Sequence, residues 1–172
     1  MASYLPDPGE LSADQRAVYD LLPSNLTRGL LLTGCSAEPY LSLGRSFRRG
    51  YLSAAVRELV ILRVGALTAS RYELHHHVPE ARRAGLSDEH IDAVIDGSRS
   101  VGRPDLDALL AFVDRLVDAV RGSAPPPDAL EEYFSRNEIA EVVLLVGHYV
   151  MTSLFLRTLG IEPEDGPGEH RR

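Results

Sequence analysis

Apolar residues recur at helical spacing along almost the whole chain. In "LSADQRAVYDLLPS" the residues Ala13, Ala17, Val18, Leu21 and Leu22 follow a candidate N-cap, Ser12. "NLTRGLLLTG" reads as a short apolar helix ended by Gly34, and "SAEPYLSLGRSFRRGY" as a helix with Pro39 near its first turn. "SAAVRELVILRVGALTA" is apolar on every side; its length favours a buried helix capped by Ser53 over a strand. "SRYELHHHVPEARRAG" and "SDEHIDAVIDG" follow as helices stopped by Gly85 and Gly97, the second capped by Ser87. "PDLDALLAFVDRLVDAV" carries Leu106, Leu109, Leu110, Val113, Leu116, Val117 and Val120 on one stripe. "APPPDALEEYFSR" reads as a proline linker and a helix, and "NEIAEVVLLVGHYVMTSLFLRTLG" as a long helix closed by Gly160. No segment alternates as a strand does. The pattern predicts an all-α single domain over residues 1–172, of about eight helices, with 163–172 as a flexible tail.

Two stretches, residues 59–67 and 142–159, are too apolar for a chain this short to cover with its own surface helices. They are expected to run through the middle of the bundle and to meet other subunits, which makes the protein a homo-oligomer. No apolar run approaches the roughly eighteen residues of a membrane span. "MASYLPDPGELS" lacks the basic and apolar regions of a secretory signal. The expectation is a cytoplasmic protein with no membrane partner.

Composition narrows the chemistry. The net charge of −7 argues against nucleic acid, whose phosphates call for a basic face. All 18 basic residues are arginine, so no lysine can form a Schiff base. The same Arg, Ala and Gly bias suits a GC-rich bacterial genome. Cys35 is the one cysteine and can form neither an internal disulfide nor a CxxC pair. There is no GxGxxG and no GxxxxGK[ST] phosphate loop. No cofactor is expected.

Half of the six histidines stand together as His75, His76 and His77. On a helix of about 100° per residue, with Glu73 as origin, His77 lies about 40° away, Ser70 about 60° on the same side and His76 about 60° on the other. His75 falls about 160° away, on the back. The three therefore cannot reach one point, and Glu73 and His77 are i,i+4 neighbours able to touch. Pro79 has no N–H for the carbonyl of His75, which bends or loosens the helix beside His77. Glu58 sits inside the most apolar segment of the first half, where a carboxylate is costly unless paired, and where burial raises its pKa toward acid–base use. Arg57 or Arg63 could equally pair with it at the helix surface. ExxxH is also half of a metal site, although HExxH is absent.

The stretch "RELVILRVGALTASRYELHHHVPEARRAGLSDEHIDAV" and the later "LLVGHYVMTSLFLRTLGIEPE" resemble the carboxymuconolactone decarboxylase family, which includes the alkylhydroperoxidase AhpD-like proteins. The resemblance spans residues 40–162. In the redox branch a Glu is followed twelve residues on by C-x-x-C-x-x-x-H. Glu58 and His77 match that Glu and His, Ser70 and Glu73 stand at the two cysteines, and Tyr72 stands where a Tyr is common. Without thiols a disulfide relay is impossible, so no peroxidase role is expected. The cysteine-free branch resembles the decarboxylase proper. That resemblance implies an AhpD-like bundle, a trimer or hexamer, and cofactor-free loss of CO₂ from a lactone acid.

Such a reaction needs a donor or cation for the carboxylate, a donor at the carbonyl oxygen and an acid for the carbon. His77 is the expected proton carrier, Glu58 its orienting carboxylate and Glu73 a second acid–base or binding group. Ser70, Tyr72 and His148 are candidate substrate contacts. Arg45, Arg48 and Arg49 are candidates to hold a substrate carboxylate, with the choice among them open. Three readings follow: an acid–base lyase or isomerase of small acids or lactones, with aromatic degradation or secondary metabolism as its natural setting; a non-catalytic binding or scaffold protein; and a metal site of Glu58, Glu73 and His77.

Overall fold

Eight α-helices follow one another in the computed structural model, which describes residues 5–119, 122, 126 and 130–164. They are α1 (Ala13–Tyr19), α2 (Asn25–Leu30), α3 (Ala37–Ser46), α4 (Ala54–Leu67), α5 (Arg71–Arg83), α6 (Asp88–Ile95), α7 (Pro104–Asp118) and α8 (Arg136–Thr158). Among the described residues there is no strand. Five helices begin on a serine whose hydroxyl accepts an N–H of the first turn: Ser12, Ser24, Ser53, Ser87 and Ser135. Ser12 and Ser135 complete capping boxes with Gln15 and Glu138.

The apolar segment predicted to run through the middle does so. Every residue of α4 from Glu58 to Gly65 is buried. Leu59, Val60, Ile61, Leu62 and Val64 meet Leu106, Leu109, Leu110 and Val113 of α7 and Val142 and Leu145 of α8 in one core cluster. Within it, Arg63 forms a two-armed ion pair with Asp114, at 2.6 and 2.7 Å, and donates to the carbonyls of Val94 and Ser98. This settles the partner of Arg63, which is not Glu58. A smaller cluster joins Leu26, Leu30, Leu41, Tyr72, Leu156 and Ile161.

Gly65 lets α5 approach α4 closely, since a Cβ there would sit 3.1 Å from Leu74 Cδ2 and 3.4 Å from Glu73 Cβ. α8 lies antiparallel on α5. Arg157 donates to the carbonyl of Thr68 at 2.6 Å, while Tyr149 meets His77.

Four expectations change. The segment around Gly34 leaves α2 for a 3₁₀ stretch, Leu31–Ser36, because Gly34 takes φ +64 and ψ −118, outside any helix. The helix expected after the proline linker falls partly on residues 123–125 and 127–129, outside the described ones; residues 130–133 form turns, and Ser135 starts α8. The start of the tail is docked, since Ile161 is buried and Glu164 is held by Asn25, Tyr72 and His76. The rest of the predicted flexible tail, 165–172, lies outside the described residues. Finally, α8 is long and apolar enough by composition to cross a membrane. It packs in the bundle instead, with Val142, Leu145, Val146 and Leu156 in the two cores and Glu141 accepting from the backbone of Tyr51 and Leu52.

Candidate functional site

α4 delivers Glu58, and α5 delivers Glu73 and His77, to one largely buried site. Glu58 and Glu73 are 4% and 3% exposed, whereas the His77 side chain keeps 16%. His77 Nδ1 lies 2.7 Å from Glu58 Oε2. Its Nε2 lies 3.4 Å from Glu73 Oε2 and 3.2 Å from the Tyr149 hydroxyl. The imidazole is thus gripped at both nitrogens by groups from α4, α5 and α8.

The two carboxyls differ electrically. Burial pushes Glu58 up, but the hydrogen bond and charge of His77, and then Arg57 at 3.2 Å, outweigh it and hold Glu58 below the usual carboxylate range. Burial pushes Glu73 up, and there the charges of His77 and His76 do not overcome it; Glu58 adds to the rise. Burial also raises the Tyr149 hydroxyl, helped by Glu73 and Glu58 and opposed by Arg48. An ionised Glu58 has no proton to give, so Nδ1 carries the hydrogen and donates. In a neutral ring Nε2 is then the basic nitrogen, and it faces Glu73 and Tyr149, both pushed upward by burial. Neighbouring titratable groups pushed in opposite directions are a recurring mark of an acid–base site.

Helix geometry placed Glu73 and His77 on one face, and they meet. His75 is exposed and His76 half-buried, as their angles predicted. Tyr72 does not join His77. Its hydroxyl accepts from the amide of Leu26 at 3.2 Å and donates to Glu164 at 3.1 Å, because position 72 faces α2 and the chain after α8. Ser70 is buried at the N-cap of α5 with no partner for its Oγ. His148 stacks on Tyr40 with ring centroids 4.7 Å apart and lies 5.3 Å from Tyr149, one ring removed from His77. Burial lowers its pKa to about 4, so it is a neutral wall at pH 7. Of Arg45 and Arg48, both exposed, Arg48 is the one whose charge is felt at Tyr149.

Sequence reasoning missed Tyr149 and left Arg57 as one of two options. Tyr149 sits next to the conspicuous His148 in "VGHYVM", about 100° further round the helix. Glu58 and Glu73 meet opposite edges of one imidazole. The three do not converge on a single point, and among the described residues no group of three or more His, Cys, Asp or Glu side chains is arranged for a metal ion.

Residues 41–115 match the Carboxymuconolactone decarboxylase family. That span holds Arg48, Glu58, Ser70, Glu73 and His77, while Tyr149 lies beyond it. Two solved structures share the fold. One is a protein of unknown function from Agrobacterium tumefaciens, described as a putative antioxidant defence protein AhpD. It is 20% identical, with a TM-score of 0.70 over 77% of this chain and 92% of that one. The other is the alkylhydroperoxidase AhpD core of an uncharacterized peroxidase-related protein from Ralstonia eutropha JMP134. It is 18% identical, with a TM-score of 0.79 over 94% of this chain and 90% of that one. No curated protein matched the chain. The AhpD-like fold is therefore shared. The chemistry of a disulfide relay is not available to this chain, whose single cysteine, Cys35, is exposed in the 3₁₀ stretch before α3.

Proposed function

We propose that the protein is a cofactor-free acid–base enzyme of the carboxymuconolactone decarboxylase type, acting in the cytoplasm on a small organic acid or lactone. The observation that carries this reading is His77, bound through Nδ1 to an ionised Glu58 and facing Glu73 and Tyr149 with Nε2. Loss of CO₂ from a lactone acid leaves an electron pair delocalised into the carbonyl, and a proton must then reach carbon. Glu58 sets the tautomer and balances the imidazolium charge; Nε2 moves the proton. Glu73, whose pKa burial raises, and Tyr149 face Nε2 and are the groups placed to hydrogen-bond developing negative charge. Ser70 Oγ and His148 Nδ1 are buried without a hydrogen-bond partner, and Arg48, whose charge reaches Tyr149, is the candidate for a substrate carboxylate.

Proton abstraction from a lactone is the matching half-reaction without CO₂. The probe is α-angelica lactone, whose C3–H is acidified by the carbonyl and the ring alkene. Purified protein should speed its conversion to the β isomer, with the proton removed at C3 and one delivered at C5, as followed by NMR. A rate equal to buffer alone would overturn the acid–base reading.

The α8 surface supports assembly as a homotrimer or homohexamer. Ala140, Leu144, Gly147, Met151 and Leu154 are all exposed and repeat at spacings of four, three, four and three. That is the rhythm of a helix–helix seam, with small residues allowing close approach. Leu154→Glu should shift the sedimentation profile toward the 18.9 kDa monomer; an unshifted profile would remove α8 from the interface.

A further inference from the structure

A proline inside a helix leaves one carbonyl without its donor, and in α5 Pro79 does this to His75. The turn weakened in this way, residues 75–79, carries His77. Side chains on both sides of it make up for the missing backbone bond. On one side, His77 Nδ1 lies 2.7 Å from Glu58 Oε2. On the other, His76 Nε2 lies 2.8 Å from Glu164 Oε2.

Glu164 belongs to a segment that is itself seated. Gly160, at φ +59, turns the chain out of α8, and the amide of Ile161 donates to the carbonyl of Leu156 at 2.8 Å. Ile161 is buried with Leu26, Leu30, Tyr72 and Leu156, over Gly29, where a Cβ would collide with it. Asn25 Nδ2 donates to the carbonyl of Glu162 at 3.1 Å. The Glu164 carboxylate accepts from the Asn25 amide and, at 3.1 Å, from the Tyr72 hydroxyl. The Tyr72 ring packs on the His76 ring with centroids 4.4 Å apart. Burial alone would raise Glu164, but His76 and the Asn25 amide bring it down to about 2, so it is an anion at neutral pH. Residues 161–164 thus form a strap. It grips Tyr72 and His76, an i,i+4 pair on one face of α5, and ties both to α2.

We propose that this strap is an outer brace for the helix of the site, with Glu164 as a positioning residue for His77. Glu58 and Glu164 hold adjacent residues of the weakened turn from different sides. Without Glu164 the turn is free to rotate, and rotation moves His77 relative to both Glu58 and Tyr149. Glu164 does this through His76 and the backbone, without touching the reacting groups. The consequence for catalysis rests on the acid–base reading above; the bracing of His77 does not.

Full-length Glu164→Gln keeps an acceptor for Asn25 and Tyr72 but loses the charge opposite His76. Amide hydrogen exchange should show protection in residues 76–83 falling about three- to tenfold, as for a partly exposed charged contact, with the amides of α7 unchanged. NMR relaxation of the His77 ring Cε1–H should show motion of larger amplitude. In the isomerisation of α-angelica lactone, kcat should fall several-fold while KM stays, because Glu164 does not reach the ligand. His76→Gln removes the other half of the pair and should loosen the same amides. The double variant should lose less protection than the product of the two single losses. Circular dichroism confirms that each variant is folded. Protection lost evenly across α4, α5 and α7, or not lost at all, would overturn the brace. So would unchanged motion of the His77 ring. If the wild type does not isomerise the lactone, the acid–base reading fails, while exchange and ring motion still decide the brace.

Discussion

His77→Ala should lower the rate of α-angelica lactone isomerisation by about 10²- to 10⁴-fold, the usual contribution of a positioned general base. The variant removes the one group that touches Glu58, Glu73 and Tyr149 together. It removes little packing, since His77 lies at the edge of the core, and the fold should persist. Glu58→Gln keeps the shape and an acceptor at Nδ1 but loses the charge that stabilises the imidazolium. Its expected loss is about tenfold or more, equal to about 1.4 kcal/mol of barrier for each factor of ten. The double variant should be hardly slower than His77→Ala, because Glu58 acts through His77 and groups that act as a unit are not additive. Steady-state rates on the four proteins check this. Full activity in both folded single variants would remove the site from the mechanism.

Arg63→Ala should cost about 3–5 kcal/mol of stability, the largest single loss expected outside the active site. The Arg63 side chain is 2% exposed and Asp114 10%. The guanidinium binds both oxygens of Asp114 and also satisfies the carbonyls of Val94 and Ser98. Truncation leaves a carboxylate inside the core and two carbonyls without their donor. Arg99, at 3.4 Å from Asp114 but 80% exposed, is too well solvated to replace it. Paired replacement, Arg63→Met with Asp114→Leu, should recover most of the loss by exchanging a costly buried pair for apolar packing. Urea denaturation midpoints measure both. A loss of under about 1 kcal/mol for Arg63→Ala would show that the pair is solvated in solution. Because Arg63 and Glu58 share α4, a loss of activity in Arg63→Ala at temperatures where it is folded would also report on how rigidly that helix holds Glu58.

Most helices and three of the five serine caps, Ser12, Ser53 and Ser87, were legible from local pattern, because a cap and the first turn of a helix involve residues three or four apart; Ser24 and Ser135 were not read as caps. The same locality explains why Glu73 and His77 could be paired, and His75 excluded, from angles alone. Glu58 was singled out by the cost of a carboxylate in an apolar segment, and its alignment with the family motif agreed. The failures share one cause. Tyr149 and His148 differ by one position, and only the rotation of α8 against α5 decides which faces His77. Arg57 and Arg63 are both on α4, and the packing of α7 decides that Arg63 turns to Asp114. The tail looked free because its sequence is polar, yet Glu164 finds Asn25 and His76, residues 139 and 88 positions away in the chain.

By itself, then, the sequence determined an all-helical chain, the absence of a disulfide relay, and a helix face bearing Glu73 and His77. Those properties follow from composition and from a 3.6-residue period, which any stretch of chain carries locally. Tertiary structure decided what the face is used for. It put Glu58 on Nδ1 and Tyr149 on Nε2, drew Tyr72 away from the site, and tied His76 to Glu164. These pairings depend on how α4, α5 and α8 rotate and slide against one another. That is set by the packing of the whole core, with Gly65 admitting α5 and the Arg157 contact to Thr68 holding the end of α8.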